Sequence, residues 1–202
     1  MSRCPSQSGA ALLAALVVTV AVMLLAASAA QTALNAEKSA RAERDRHLAF
    51  QSAEAALADA ERDIAGGFDP ASARAALFAS GDAAGFAEGC GRTAGSVGFG
   101  LCKCAAAGAP PAWQAADLGA AVPYGAFTGA ALPGRPPRYI IELIPQPAPA
   151  TGHLYRITAI GYGMRAGTQV VLQSFYRKTG AAHLRISWRE VANWQELHDA
   201  AT

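Results

Sequence analysis

An uncharged run from Ala10 to Ala30, AALLAALVVTVAVMLLAASAA, constrains this chain more than any other feature. At about 1.5 Å of rise per residue a helix over this run spans roughly 30 Å, the thickness of a bilayer's hydrocarbon core. The run therefore predicts a membrane-spanning helix, and everything after it works beside a membrane. The helical signal outlasts the apolar one. Gln31 to Ile64 contains neither Pro nor Gly and is built from Ala, Leu, Glu, Arg, Lys, Gln and Asp, mostly good helix formers. Its apolar residues Ala49, Phe50, Ala53, Ala56, Leu57, Ala60 and Ile64 fall within an arc of about 120°, with Glu54, Asp59, Glu61 and Arg62 outside it. Gly66 and Gly67 supply the stop expected past a helix C-terminus.

The charges on this helix fit a solvated face. Glu37 with Arg41 and Glu43 with His47 stand four residues apart, pairs that contribute about 0.2 to 0.5 kcal/mol each. From residue 66 to 137 the composition turns to Ala, Gly and Pro, with few β-branched residues. A short helix is expected over 71–79, with Asp69 as N-cap and Pro70 in the first turn. The glycines between Gly89 and Gly95 lack the Gly-Lys-Ser/Thr and βαβ context of a phosphate cradle and predict a loop.

Strands are expected only after Pro137: 139–144, 154–160, 168–176 and 184–188, with turns at 145–152 and 161–167. Close spacing predicts an antiparallel meander. In the last strand Leu184, Ile186 and Trp188 alternate with Arg185 and Ser187. The apolar helix stripe and one face of the meander bury each other, an α+β architecture. The expected divisions are 1–9 as leader, 10–30 as membrane span, 31–65 as amphipathic helix, 66–137 as connecting region, 138–190 as sheet and 191–202 as tail.

No nucleophile, base or metal set stands out. His153 and His183 fall at strand ends, His198 in the tail, no Gly-x-Ser-x-Gly elbow occurs, and the carboxylates concentrate on the long helix as surface residues. Neither enzyme activity nor a cofactor is expected. Trp188, Arg189, Glu190 and Trp194 read either as an interaction surface or as two Trp capping the core edge, and the capping is favoured. A formal charge of +2 over 202 residues is too balanced for a nucleic-acid surface.

The order short leader, Gly9, uncharged span and continuing helix resembles the class III signal of type IV pilins. The finer resemblance is to the PilX family of minor pilins. It rests on Gln7-Ser8-Gly9-Ala10-Ala11-Leu12-Leu13, on Arg44 to Leu57 (RDRHLAFQSAEAAL), and on Tyr155-Arg156-Ile157-Thr158 and Val171-Leu172-Gln173-Ser174. Ser187-Trp188-Arg189-Glu190 is similar to the C-terminal end of such proteins. The likeness is good over about the first 65 residues, looser in the last third and faint from 66 to 133.

The resemblance implies cleavage between Gly9 and Ala10 by a prepilin peptidase, methylation of Ala10, and a single pass through the inner membrane with a periplasmic C-terminal domain. It also implies incorporation into a pilus with other pilin and minor pilin subunits, in support of motility or adhesion. Major pilins carry Phe or Met first and Glu fifth after the cut, where this chain has Ala10 and Ala14. The missing carboxylate suggests a place at or near the filament tip. Outside the inner membrane a disulfide is expected between Cys90 and either Cys102 or Cys104. Cys-Lys-Cys has the wrong spacing for zinc, and Cys4 lies in the leader.

Three rivals follow. A type II secretion pseudopilin shares the signal but not the PilX-like helix middle. A periplasmic binding protein with an ordinary signal peptide would be cut at Ala27-Ser28-Ala29. A tip adhesin would use the variable middle segment and lose adhesion alone when 85–110 is deleted.

Overall fold

The computed structural model describes residues 8–106, 109–131, 134–147, 151–180 and 182–202. Residues 1–7 of the expected leader, Cys4 among them, lie outside the described residues. Helix α1 runs Ser8–Ala65, and the chain divides into two compact units, Met1–Arg44 and Asp45–Thr202.

In the second unit α1 stops where the glycines predict. Gly66 N–H donates to the Asp63 carbonyl at 3.1 Å and Gly67 N–H to that of Arg62 at 2.9 Å, with Gly67 at φ 63°. The Lys178 ammonium donates to the Ile64 carbonyl at 2.6 Å, a cation placed where the last carbonyls of a helix lack partners. The elements that follow are α2 (Ala73–Ser80), β1 (Leu101–Lys103), α3 (Ala112–Ala115), β2 (Val122–Pro123), β3 (Arg138–Ile144), β4 (His153–Tyr162), β5 (Gln169–Thr179), β6 (Ala182–Glu190) and α4 (Trp194–Asp199). Helix α2 is capped by Ser72, whose hydroxyl accepts the Ala75 N–H at 3.2 Å. The expected cap, Asp69, instead closes a turn with the Ala71 N–H one step earlier.

The sheet runs β1-β3-β4-β5-β6, with β2 paired to β3. Strands β3 to β6 form the antiparallel meander. Two strands precede Pro137, against expectation. β1 lies parallel to β3, Leu101 beside Ile141, and β2 antiparallel to it, Val122 beside Tyr139. At three and two residues they are too short to show alternation, and their partner lies far along the chain. The segment 85–110 is therefore not a detachable loop: Leu101 and Cys102 are fully buried and β1 is part of the sheet.

Cross-strand register places Tyr139–Ala159–Leu172 and Ile141–Ile157–Ser174 on the face toward α1. There they meet Ala49, Ala53, Ala56, Leu57, Ala60 and Ile64, none more than 1% exposed. Alanines let the helix lie close on the strands. Gly161, expected in a turn, is a β4 residue on that face.

The opposite face is buried too. Ile140, Ile160 and Val171 pack with Trp113, Leu118, Val191 and Trp194 from the connecting region and the tail. This second core sets the rings of Trp113 and Trp194 6.2 Å apart. Beside it a polar ladder runs from the surface to buried Thr158: Arg189 donates twice to Gln173 Oε1 and Gln173 Nε2 to Thr158 Oγ1. Nearby, buried Glu142 receives both Nε and Nη2 of Arg156 at 2.7 Å.

Three carboxylates of α1 are buried, correcting the expectation of an ordinary solvated face. Asp45 accepts the Met164 N–H and the Thr168 hydroxyl of the β4–β5 turn, each at 2.5 Å. Asp59 accepts the Gly125 N–H at 2.7 Å and the Thr128 hydroxyl. Asp63 takes Nε and Nη2 of Arg74 and, at 3.0 Å, the Tyr139 hydroxyl. Each sits outside the apolar arc, where other segments bring its donors: the β4–β5 turn for Asp45, the Gly125–Thr128 loop for Asp59, and α2 with β3 for Asp63. Periodicity cannot see such partners, because they come from other elements of the chain.

Candidate assembly interface

The first unit is helix alone. Every residue from 10 to 44 is exposed, including Leu12, Leu16, Val18, Met23 and Leu25 at 59 to 71%. This stretch of α1 is long and apolar enough to cross a membrane. Its two threonines hide their hydroxyls: Thr19 Oγ1 donates to the Ala15 carbonyl at 2.8 Å and Thr32 Oγ1 to Ser28 at 3.0 Å. Both polar groups are thereby satisfied within the helix, as an apolar surrounding demands. The first charges after the apolar run are Glu37 and Lys38, and Glu37 pairs with Arg41 on the surface. An apolar surface of this extent marks contact with lipid or with other apolar helices.

Gly9 and Ala10 lie in the first turns of α1. Ala14, one turn further on, carries no carboxylate.

In the second unit, Cys90 and Cys102 are joined in a disulfide across a separation of 12 residues, and Cys104 is unpaired and partly buried. The bond ties the loop after α2 to the β1 edge. Beside it Arg74, 4% exposed, holds the same region from within. Its Nη1 donates to the carbonyls of Val97 at 2.7 Å and Phe99 at 2.9 Å, while Asp63 takes the other side of the guanidinium. Burial pushes the Asp63 carboxyl up, and Arg74 and the Tyr139 hydroxyl pull it back. An open cavity of about 440 Å³ borders this pair, walled by Phe68, Val97 and Phe127.

Among the described residues no cluster of three or more His, Cys, Asp or Glu is placed to hold a metal. The histidines stay apart: His198 Nδ1 lies 2.6 Å from the Gln114 carbonyl and stacks on Trp194, and His183 stacks on Tyr176. Trp194 caps the second core, as favoured, whereas Trp188 is half-exposed and meets the Phe50 ring edge-on, with centroids 6.0 Å apart. The alternation expected for Leu184, Ile186 and Trp188 is broken by a bulge. Phe175 pairs with Ser187 but Tyr176 with Arg185, so Ile186 is an extra residue. Arg185 then turns to the α1 face, where it donates to Glu61 at 2.6 Å, and Leu184 turns away.

A long helix, apolar and exposed in its first part and buried by a sheet in its last, defines a pilin-like subunit of α+β fold. The chain belongs to the PilX family of type IV pilus proteins: the model for the PilX N-terminal region matches residues 8–58, and that for the C-terminal region of type IV pilus assembly protein PilX matches 87–178. No curated protein and no solved structure matches it. The second match begins at 87, well inside the region where the sequence resemblance is faint. The family is structural, its members are minor pilins, and they act with other pilus components.

Proposed function

We propose that this protein is a minor pilin that primes or caps the type IV pilus at or near its tip and so supports motility or adhesion. Its maturation is cleavage between Gly9 and Ala10 by a prepilin peptidase and methylation of Ala10. Before assembly residues 10–30 cross the inner membrane once, with the C-terminal unit in the periplasm. The supporting observation is the fully exposed, uncharged helix of a PilX-family chain, a surface that needs lipid first and neighbouring helices afterwards. Its frequent alanines suit close helix approach in an apolar setting. Ala14 supports a terminal position, since the subunit offers no carboxylate to a neighbour's amine.

Deletion of the gene tests the assembly role: sheared surface pili are expected to fall severely and to return with the wild-type chain. Unchanged piliation would overturn it. Immunogold label on an epitope-tagged chain is expected at filament ends, and label along the shaft would contradict the tip position.

A further inference from the structure

Strand β6 closes one edge of the sheet, with no further strand paired beyond it among the described residues. Alternate N–H and C=O groups of such a strand point away from its neighbour, ready to pair with another extended chain. Natural edges are guarded by brevity, proline, charge or a bulge, and of these β6 has the bulge at Ile186 and the charges Arg185, Arg189 and Glu190. β6 has nine residues and no proline. Leu184, Ile186 and Trp188 stand 69, 49 and 51% exposed along it. A cavity of about 230 Å³ lies against it, walled by Arg177, Thr179, Ala182, His183, Leu184 and Ile186.

We propose that the β6 edge receives an extended segment of a different pilus subunit, one in which apolar residues alternate with acidic ones. This inference rests on the pilus-subunit reading. Apolar side chains of the segment cover Leu184 and Ile186 and fill the cavity, while its carboxylates meet the basic rim.

Charge selects this occupant. Strands β5 and β6 carry Arg177, Lys178, Arg185 and Arg189, with Glu190 as their sole acidic residue. Glu61 neutralises Arg185 and Arg46 neutralises Glu190. Lys178 donates to the Ile64 carbonyl, Arg189 hydrogen-bonds the neutral Gln173 and lies over the Trp113 ring, and Arg177 is exposed at the cavity wall. A second copy of β6 fits badly: antiparallel pairing about Ile186 sets His183 opposite Arg189, and parallel pairing stacks like on like. β6 also lies beyond the residues matched to the family, which end at 178.

The test places p-benzoylphenylalanine at Leu184 of the full chain in cells assembling pili, with a probe at Met164 as control. Sheared filaments are irradiated and crosslinked peptides mapped by mass spectrometry. The expected result is a crosslink from 184, and not from 164, to an apolar-acidic segment of a second subunit. Arg177→Glu should lower its yield about fivefold, the scale of one exposed charge contact, with Arg177→Lys near wild type. A crosslink to another copy of this chain, to lipid or to a helix, or none from a chain present in filaments, overturns the proposal alone. Absence of the chain from filaments overturns the pilus-subunit reading as well.

Discussion

Gly161 of β4 lies so close to α1 that a β-carbon on it would stand 2.1 Å from the Ala49 carbonyl oxygen and 2.2 Å from the Ala53 nitrogen. Backbone meets backbone there, and neither element can yield without moving whole. The contact explains why the helix stripe is mostly alanine where it crosses the sheet: Ala49, Ala53, Ala56 and Ala60 keep the two close enough for the larger Leu57 and Ile64 to reach the core. The small residues Ala49 and Ala53 in this stripe are thus a packing requirement.

Gly161→Val should destabilise the protein by about 3 kcal/mol or more, beyond the usual range for overpacking because the obstruction is main chain. Thermal unfolding of the full chain in detergent measures this. A loss under about 0.5 kcal/mol, the size of an unremarkable surface change, would mean that helix and strand are further apart.

The buried Arg74–Asp63 pair carries a second prediction. Arg74→Ala leaves a buried carboxylate and the Val97 and Phe99 carbonyls without their donor. Breaking a buried pair from one side costs about 3 to 5 kcal/mol, so the variant should unfold at markedly lower denaturant. Arg74→Lys should recover only part of the loss, since one ammonium cannot reach both sides.

Removing the Cys90–Cys102 bond should cost about 3 kcal/mol for a loop of this size, on the chain-entropy account. Cys90→Ser with Cys102→Ser, compared with Cys104→Ser, separates the bonded thiols from the free one. The single Cys104 variant should melt within a degree or two of wild type.

The β4–β5 turn should be acid-labile. The Thr168 hydroxyl, with the Met164 and Arg165 backbone amides, holds the Asp45 carboxyl below its ordinary value of 3.8 against a smaller opposing effect of burial. A lowered folded-state value means that the stabilisation is complete above about pH 4 and lost as pH falls through that lowered value. Hydrogen exchange at Met164 should accelerate across this acid window in the wild type, and already be fast and pH-flat in Asp45→Asn once intrinsic rates are removed.

The parts legible in the sequence were those with local signatures. The span 10–30, the amphipathic stripe, the Gly66–Gly67 stop and the β3–β6 meander each announce themselves through periodicity or turn residues within a few positions. What escaped depends on distant partners. Asp45, Asp59 and Asp63 look like surface carboxylates until the segments that cover them are placed, and β1 and β2 are too short to alternate. The β6 bulge inverted the faces of Leu184 and Arg185 relative to Trp188, because one extra residue reverses side-chain direction in a strand. A buried second face of the sheet was signalled only weakly, by Ile140, Ile160 and Val171 standing opposite the helix-facing residues.

The mature N-terminus of the protein, read by mass spectrometry from membrane and sheared-filament fractions, tests the central claim most directly. An N-methylated Ala10 in both fractions is the predicted result. A mature chain beginning at Ala30 or Gln31 would contradict the account, because the apolar helix would then be a discarded signal and no assembly interface at all.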